Sequence, residues 1–272
     1  MASSERSRQA APHTLLTVLE SRAIFEMGAM VAASPLLRLA GRGDEHPVLV
    51  LPGFMGSDRS SIALRSVLRS QGYWTHGWGL GRNIGPTQRI IDGMAERLQL
   101  LHDRHDRPVS IIGWSLGGIY ARQLARTAPD SVRQVITLGS PFRIDEQSRS
   151  AASDLYDRMK PFHVKELEAL TGPDQAPLPV PSTAIYSRTD GIARWWQCLE
   201  TVGPMAENIE VKGSHSGLGH NPAVIAAISD RLMQPIDDWR PFNPPPWARR
   251  SYPRPSNWRD VENDAALRTA AA

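Results

Sequence analysis

VSIIGWSLGGIY, residues 109–120, is the stretch that decides the fold of this chain. Its first residues are apolar and β-branched and predict a buried strand, whereas the residues that follow Gly117 begin a helical pattern. The motif G-x-S-x-G lies between them, in the strand-to-helix context that makes it informative. Side chains at Gly113 and Gly117 would collide with the neighbouring strand and helix in such a sharp turn. We therefore expect Ser115 to be strained, with its hydroxyl exposed at the start of a helix.

Strands and helices alternate along most of the chain. Apolar runs that predict strands are separated by segments whose apolar residues recur with helical spacing. The predicted strands are residues 47–51, 73–78, 109–112, 135–138, 183–186 and 208–211. This alternation predicts an α/β fold with a mostly parallel central sheet and helices on both faces.

The composition excludes several classes of protein. The 272 residues are 41% hydrophobic and 22% charged with a net charge of +3, and without long runs of like charge no nucleic-acid partner is predicted. The single cysteine, Cys198, excludes an internal disulfide, and no cysteine or histidine spacing indicates a metal site. Charged residues interrupt the apolar residues near the N-terminus, so neither a cleaved signal peptide nor a membrane span is expected. We expect a cytoplasmic protein without metal or cofactor.

A serine hydroxyl needs a base to become a nucleophile, and that base needs an acid to orient it. In an α/β sheet such groups lie at the carboxyl ends of the strands. Asp190 and His215 each follow a predicted strand downstream of Ser115, in the order Ser, Asp, His that is expected with this kind of turn. Asp145 remains an alternative acid and His220 an alternative base. The sequence thus predicts a triad of Ser115, Asp190 and His215.

Four motifs together resemble the α/β-hydrolase superfamily and, within it, the small bacterial lipases and esterases. They are LPGF at 51–54, GWSLGG at 113–118, TDG at 189–191 and SHSGL at 214–218. The resemblance covers about residues 46–233. It implies a serine hydrolase that cleaves carboxylic esters through an acyl-enzyme, with a small-molecule or lipid ester as substrate.

The resemblance also implies which backbone N–H groups form the oxyanion hole. One is the N–H of Leu116, and the other belongs to the loop after the first predicted strand, at Phe54 or at Met55. Many relatives have His-Gly where this chain has Pro52-Gly53. A backbone donor does not depend on that histidine side chain, so we assign Phe54.

We divide the chain into an N-terminal extension (1–45), a hydrolase domain (46–233) and a tail rich in proline, arginine and tryptophan (234–272). The extension predicts an amphipathic helix that Pro35 breaks or kinks. Within the domain, residues 142–176 interrupt the alternation and predict a short helical cap. The tail is expected to lie over the surface or to be disordered, with recognition of a partner by its prolines as the alternative.

Candidate pocket residues are Met55, Trp114 and Phe142. Met55 lies in the loop after the first predicted strand, Trp114 precedes the nucleophile, and Phe142 lies at the start of the cap. For the latter two, packing in the interior is the alternative. The same alternatives apply to the cap residues Leu155, Tyr156, Met159 and Phe162.

Two alternative functions remain open. The same triad could transfer an acyl group or cleave amides or polyesters, since the acyl-enzyme step is shared. A different class is a hydrolase scaffold reused for binding without catalysis. The rather apolar segment 27–37 also allows peripheral contact with a lipid surface.

Overall fold

The computed structural model describes residues 14–39, 42–143, 150, 152–164, 176–236 and 238–261. Three of the predictions fall outside this part of the chain. They concern the polar residues 1–12, the alternative acid Asp145, and residues 165–170 of a second helix in the cap.

A single six-stranded sheet forms the centre of the molecule. Its strands are β1 Pro47–Leu51, β2 Trp74–Gly77, β3 Val109–Trp114, β4 Val132–Leu138, β5 Ser182–Tyr186 and β6 Ala206–Glu210. They are parallel and lie in the order β2-β1-β3-β4-β5-β6. Because β3 and β4 occupy the middle, the loops after them open at the centre of the carboxyl edge.

Helices cover both faces of this sheet. They are α1 Thr14–Val18, α2 Ala23–Leu39, α3 Ile62–Ser70, α4 Gln88–His105, α5 Leu116–Thr127, α6 Ser153–Met159 and α7 Pro222–Leu232. Alternate residues of β1 point to opposite faces, as the pleat requires. Val48 and Val50 belong to the apolar cluster beneath α3 and α7, whereas Leu49 and Leu51 belong to the cluster beneath α4 and α5. The predicted α/β fold is confirmed.

The N-terminal helix continues past Pro35, which lies inside α2, so the predicted break is wrong. Proline has no N–H to donate to the carbonyl of residue 31, and an interior proline is expected to interrupt a helix. Here the hydroxyl of Ser34 donates to the oxygen of Val31 at 2.9 Å. The carbonyl that proline would leave without a partner is therefore satisfied locally, and the helix ends only at Leu39.

The described part of the tail packs on the body of the protein. The N–H of Phe242 donates to Oε2 of Glu207 in β6 at 2.7 Å. The N–H of Ser256 donates to the hydroxyl of Tyr186, the last residue of β5, also at 2.7 Å. The tail thus lies against side chains of β5 and β6. Residues 242–256 of the tail lie over the surface of the domain, and the assignment of residues 234–272 as a separate tail stays a prediction.

Across the described ranges, no helix combines the length and the apolar character that crossing a bilayer requires.

Candidate active site

Ser115 occupies the turn between β3 and α5, with φ at 52° and ψ at −120°. Such backbone angles cost a non-glycine residue about 1–3 kcal/mol. A methyl group at Gly113 would overlap the first turn of α5, and one at Gly117 would overlap the backbone at the end of β1. The predicted need for glycine at both positions is confirmed. The N–H of Ser115 donates to the oxygen of Leu138 at 2.8 Å, which fixes the turn to β4.

The structure brings Asp190 and His215 together at this edge of the sheet. Asp190 follows β5 and His215 follows β6, and Nδ1 of His215 lies 2.6 Å from Oδ2 of Asp190. A carboxylate can only accept, so Nδ1 carries the proton and Nε2 is left as the acceptor. The other oxygen, Oδ1, accepts the N–H groups of Ile192 at 2.8 Å and Ala193 at 2.7 Å. These bonds hold the carboxylate plane in one orientation.

The environment of His215 makes its imidazole a stronger base than usual. Burial lowers the pKa of His215, but the charge of Asp190 and its hydrogen bond outweigh burial, and the pKa is raised overall. The Asp190 side chain is only 1% exposed, so little solvent screens this pair. A raised pKa favours proton uptake by the imidazole when a hydroxyl is activated.

Gly139, directly after β4, makes room for the pair of Asp190 and His215. A methyl group at this position would lie 3.1 Å from both Oδ2 of Asp190 and Nδ1 of His215. Its φ is 53°, in the left-handed region where glycine is favoured. The motifs in the sequence assign this glycine no role. A glycine immediately after a central strand is the signal that could have indicated one.

Trp114 connects the turn of Ser115 with the turn of His215. Its Nε1–H donates to the backbone oxygen of His215 at 3.1 Å. The edge of His220 packs against the same indole, with ring centroids 5.8 Å apart. Burial lowers the pKa of His220, and Nδ1 of His220 has no hydrogen-bond partner among the described residues. Trp114 is thus largely a buried support for the His215 turn.

Asn83 holds the loop after β1, in which Phe54 and Met55 lie. The side-chain amide of Asn83 donates to the oxygen of Pro52 at 2.8 Å. The Asn83 backbone exchanges two further bonds with the loop, accepting from the N–H of Met55 at 2.7 Å and donating to the oxygen of Gly56 at 2.8 Å. The N–H of Met55 is therefore committed. For Phe54, by contrast, no acceptor of its N–H lies among the described residues.

The loop that contains Gly53 and Phe54 and the start of α5 both adjoin Ser115. A methyl group on Gly53, next to Phe54, would lie 3.1 Å from Cβ of Ser115, so the loop backbone packs directly on the turn. Leu116 is the first residue of α5, where an N–H has no acceptor within the helix. Ser115 itself is half-buried and remains accessible.

The described part of the cap contacts the same loop. The ring of Tyr156 in α6 packs edge-to-face on Phe54, with centroids 5.4 Å apart. His163 lies against Tyr156, and its Nε2 is 2.9 Å from the oxygen of Ile84. Of the other cap residues considered for the pocket, Leu155 and Phe162 are exposed and Met159 is half-buried.

Phe142 is fully buried, and the guanidinium of Arg122 lies 3.8 Å above the centre of its ring. Arg122 in turn forms a buried ion pair with Glu200. The ring of Phe142 therefore belongs to the packed interior, and we do not include it in the proposed pocket. Met55, in the loop after β1, is half-buried and has a φ of 61°.

A second set of serine, histidine and aspartate lies near the opposite end of the sheet. Nε2 of His46 is 2.8 Å from Oγ of Ser110, and Nδ1 of His46 contacts Asp44. Both His46 and Ser110 are inaccessible, and burial lowers the pKa of His46 to about 4 despite the nearby Asp44. Ser110 lies within β3 and has no helix start beside it. This set joins the strands and offers no surface to a substrate.

Two known proteins that resemble part of this chain are named as a lipase and a serine hydrolase. No family model matches the sequence. The chain is 30% identical over 157 residues to a triacylglycerol lipase from Burkholderia plantarii, which covers 54% of this chain and 44% of the relative. It is also 30% identical over 142 residues to the mouse serine hydrolase BPHL, covering 48% of each protein. The chain thus spans about half the length of the relatives it matches.

Among solved structures, a monoacylglycerol lipase from Paleococcus ferrophilus superimposes with a TM-score of 0.51 at 13% identity. The match covers 71% of this chain and 95% of that lipase. At this identity the likeness concerns the fold alone. The parallel sheet and the strained serine turn after its central strand agree with this likeness. This chain has the α/β-hydrolase fold.

Proposed function

We propose that this protein is a serine hydrolase that cleaves carboxylic esters. The observation that carries the proposal is the 2.6 Å contact between His215 and Asp190 at the sheet edge where Ser115 is held in a strained turn. A scaffold used only for binding has no need of this combination. The partial matches to proteins named as a triacylglycerol lipase and a serine hydrolase support the same class of reaction.

In the proposed mechanism, Nε2 of His215 takes the proton of Ser115 as Oγ attacks the ester carbonyl. Asp190 holds the imidazole in the required tautomer and stabilises the imidazolium. The N–H groups of Phe54 and Leu116 stabilise the oxyanion, and loss of one such donor typically costs about 2.7–4 kcal/mol of barrier. The imidazolium then protonates the leaving alcohol, and water releases the acid from Ser115 by the reverse sequence. No cofactor takes part in these steps.

The ester substrate is proposed to lie between the loop of Phe54 and Met55 and the described part of the cap. Phe54 and Tyr156 provide an apolar wall next to the accessible Ser115. A series of p-nitrophenyl esters of increasing acyl length tests this arrangement. We expect turnover by the wild-type protein and none above background by Ser115→Ala. Equal turnover by both proteins would remove the proposal.

A second proposal concerns contact with a lipid surface. Several apolar side chains on α1 and α2 face solvent, including Ile24 at 75% exposed and Phe25 at 80% exposed. A row of exposed apolar residues on one helix is typical of an interfacial site. We expect a double variant, Ile24→Ser with Phe25→Ser, to lose activity on an emulsified ester and to keep activity on a soluble short-chain ester. Equal activities on both substrates would count against lipid contact. The cytoplasmic location stays a prediction from the sequence.

A further inference from the structure

Glu20, in the short helical turn Leu19–Arg22 between α1 and α2, binds the two turns that carry the acid and the base. Its Oε1 accepts the N–H of Gly191 at 2.8 Å and the N–H of His215 at 2.9 Å. Its Oε2 accepts the N–H of Ser216 at 2.8 Å. Gly191 is the residue after Asp190. One carboxylate oxygen therefore joins the backbone beside the acid to the backbone of the base.

We propose that Glu20 is a positioning residue for ester hydrolysis, which sets the distance between the Asp190 and His215 turns. This inference rests on the proposed serine hydrolase function. Bonds between a carboxylate and N–H groups are charge-assisted and roughly twice as strong as neutral ones. Three of them on one side chain hold two turns that belong to different strands, β5 and β6.

Neighbouring side chains strengthen the same attachment. The guanidinium of Arg22 donates to the backbone oxygens of Thr189 at 2.5 Å and Gly213 at 2.9 Å, one in each turn. Oε1 of Glu26 accepts the N–H of Ser214 at 2.7 Å. Glu20, Arg22 and Glu26, all in the N-terminal segment of residues 14–39, thus bind the backbone near Asp190 and near His215.

The N-terminal segment packs closely against the acid turn, which is the turn that carries Asp190. The hydroxyl of Thr17 donates to the oxygen of Gly191 at 2.9 Å. A methyl group at Gly191 would overlap the backbone of Leu16. The segment therefore approaches the acid turn through its backbone as well as through Glu20.

The charge of Glu20 also acts on the base. Burial raises the pKa of Glu20, but the N–H groups of Ser216, His215 and Gly191 outweigh burial and lower it overall, so the carboxylate is ionised at neutral pH. The charged groups around the His215 turn are Asp190 in contact, Glu20 and Glu26 from the N-terminal segment, and Arg22 between the turns. After the larger effects of burial and Asp190, the charge of Glu20 further raises the pKa of His215.

Glu20→Gln tests the inference, since the amide keeps one acceptor oxygen and removes the charge. With a soluble p-nitrophenyl ester, we expect kcat to fall roughly tenfold to a hundredfold, the scale on which misplaced catalytic groups act. KM should change little because Glu20 does not line the proposed pocket. The acidic limb of the profile of kcat/KM against pH should move to lower pH, since His215 loses a neighbouring negative charge. Glu20→Ala should lower kcat further.

Two matched variants separate positioning from simple attachment of the segment. Glu96→Gln removes the same charge from the exposed side of α4 and should leave kcat and the pH profile unchanged. Thr17→Val removes an uncharged bond to the same acid turn, and it should lower the melting temperature without moving the acidic limb. If Thr17→Val and Glu20→Gln changed the pH profile equally, the role of Glu20 would be attachment only.

An NMR titration gives a measurement that does not depend on turnover. The imidazole signals of His215, assigned by their loss in His215→Ala, should titrate at lower pH in Glu20→Gln than in the wild-type protein. An unchanged His215 titration together with wild-type kcat would overturn the inference while leaving the proposed function intact. A wild-type protein that hydrolyses no ester would remove both.

Discussion

The indole N–H of Trp114 donates to the backbone oxygen of His215, with 3.1 Å between Nε1 and the oxygen. This bond connects the residue before the candidate nucleophile with the candidate base, which lie 101 positions apart in the chain. A hydrogen bond from a side chain to the backbone thus connects two turns of the site that are far apart in the sequence. Local sequence patterns do not predict such a bond.

Trp114→Phe removes this donor while keeping an aromatic ring in the same space. The oxygen of His215 then keeps only the long bond from the N–H of Leu218, at 3.4 Å, so the free energy of unfolding should fall by about 0.5–1.5 kcal/mol. We also expect kcat to fall, because the turn of His215 loses an anchor. Urea unfolding and steady-state kinetics measure the two effects. Trp247→Phe, on a side chain 85% exposed, is the matched control and should change neither. Wild-type kcat in Trp114→Phe would argue against a positioning role.

His215 and His220 can be distinguished by single substitutions. His215→Ala should lower kcat at least about a thousandfold, as removal of a triad histidine does in serine hydrolases. His220→Ala should retain most activity, since its imidazole packs against Trp114 and its pKa is lowered by burial. Steady-state kinetics of the two variants measure the difference. If His220→Ala abolished hydrolysis and His215→Ala kept it, the assignment of the base would be wrong.

A substitution of Asn83 tests whether this residue positions the loop that contains Phe54. Asn83→Ala removes the side-chain bond to Pro52. We expect kcat to fall, by up to about 10²–10³-fold if the Phe54 N–H is fully misplaced, with a smaller change in KM. The neighbouring Arg82→Ala is the control, because the Arg82 side chain is exposed. A lower melting temperature together with wild-type kcat would limit Asn83 to a role in stability.

Stability should depend on pH through the buried His46. Its pKa is about 4 in the folded chain and about 6.5 in an unfolded one. Between these values the unfolded chain binds a proton that the folded chain does not, so stability rises with pH and is lost as pH falls from about 6.5 to about 4. From pH 7 to pH 5 the loss due to His46 alone is about 2 kcal/mol.

His46→Gln removes this titration and keeps an amide that can bond to Ser110. Urea titrations at pH 7 and pH 5 give the free energy of unfolding of both proteins. The loss between these pH values should be about 2 kcal/mol smaller in the variant than in the wild-type protein. Asp44 does not complicate the comparison, since its pKa of about 2 lies below this range. Equal losses in both proteins would mean that His46 is not held neutral in the folded state.

The features that could be predicted from the sequence are those with a local cause. The serine turn follows from glycines within a few residues of Ser115 and from the change of periodicity on either side of it. Asp190 and His215 were found because parallel strands place the residues that follow them at one edge. Their contact in the structure agrees with that expectation, although their roles stay proposals.

The features that could not be predicted depend on contacts between distant segments. Glu20 and His215 are 195 positions apart, and Asn83 and Pro52 are 31 apart. No pattern in the sequence links Asn83 to the loop after β1, and the sequence predicts the N-terminal helix only as an extension. At Pro35 the helix does not break, as one of the two predicted outcomes required, because the Ser34 hydroxyl satisfies the carbonyl that proline leaves free.

Covalent labelling with a fluorophosphonate tests the central claim most directly, because the reagent reacts with an activated serine and not with an ordinary hydroxyl. Intact-protein mass spectrometry of the wild-type chain should show one adduct, and peptide mapping should locate it at Ser115. Ser115→Ala should remain unlabelled, and His215→Ala should label far more slowly. A folded wild-type protein that forms no adduct at Ser115 would contradict the assignment of this chain as a serine hydrolase.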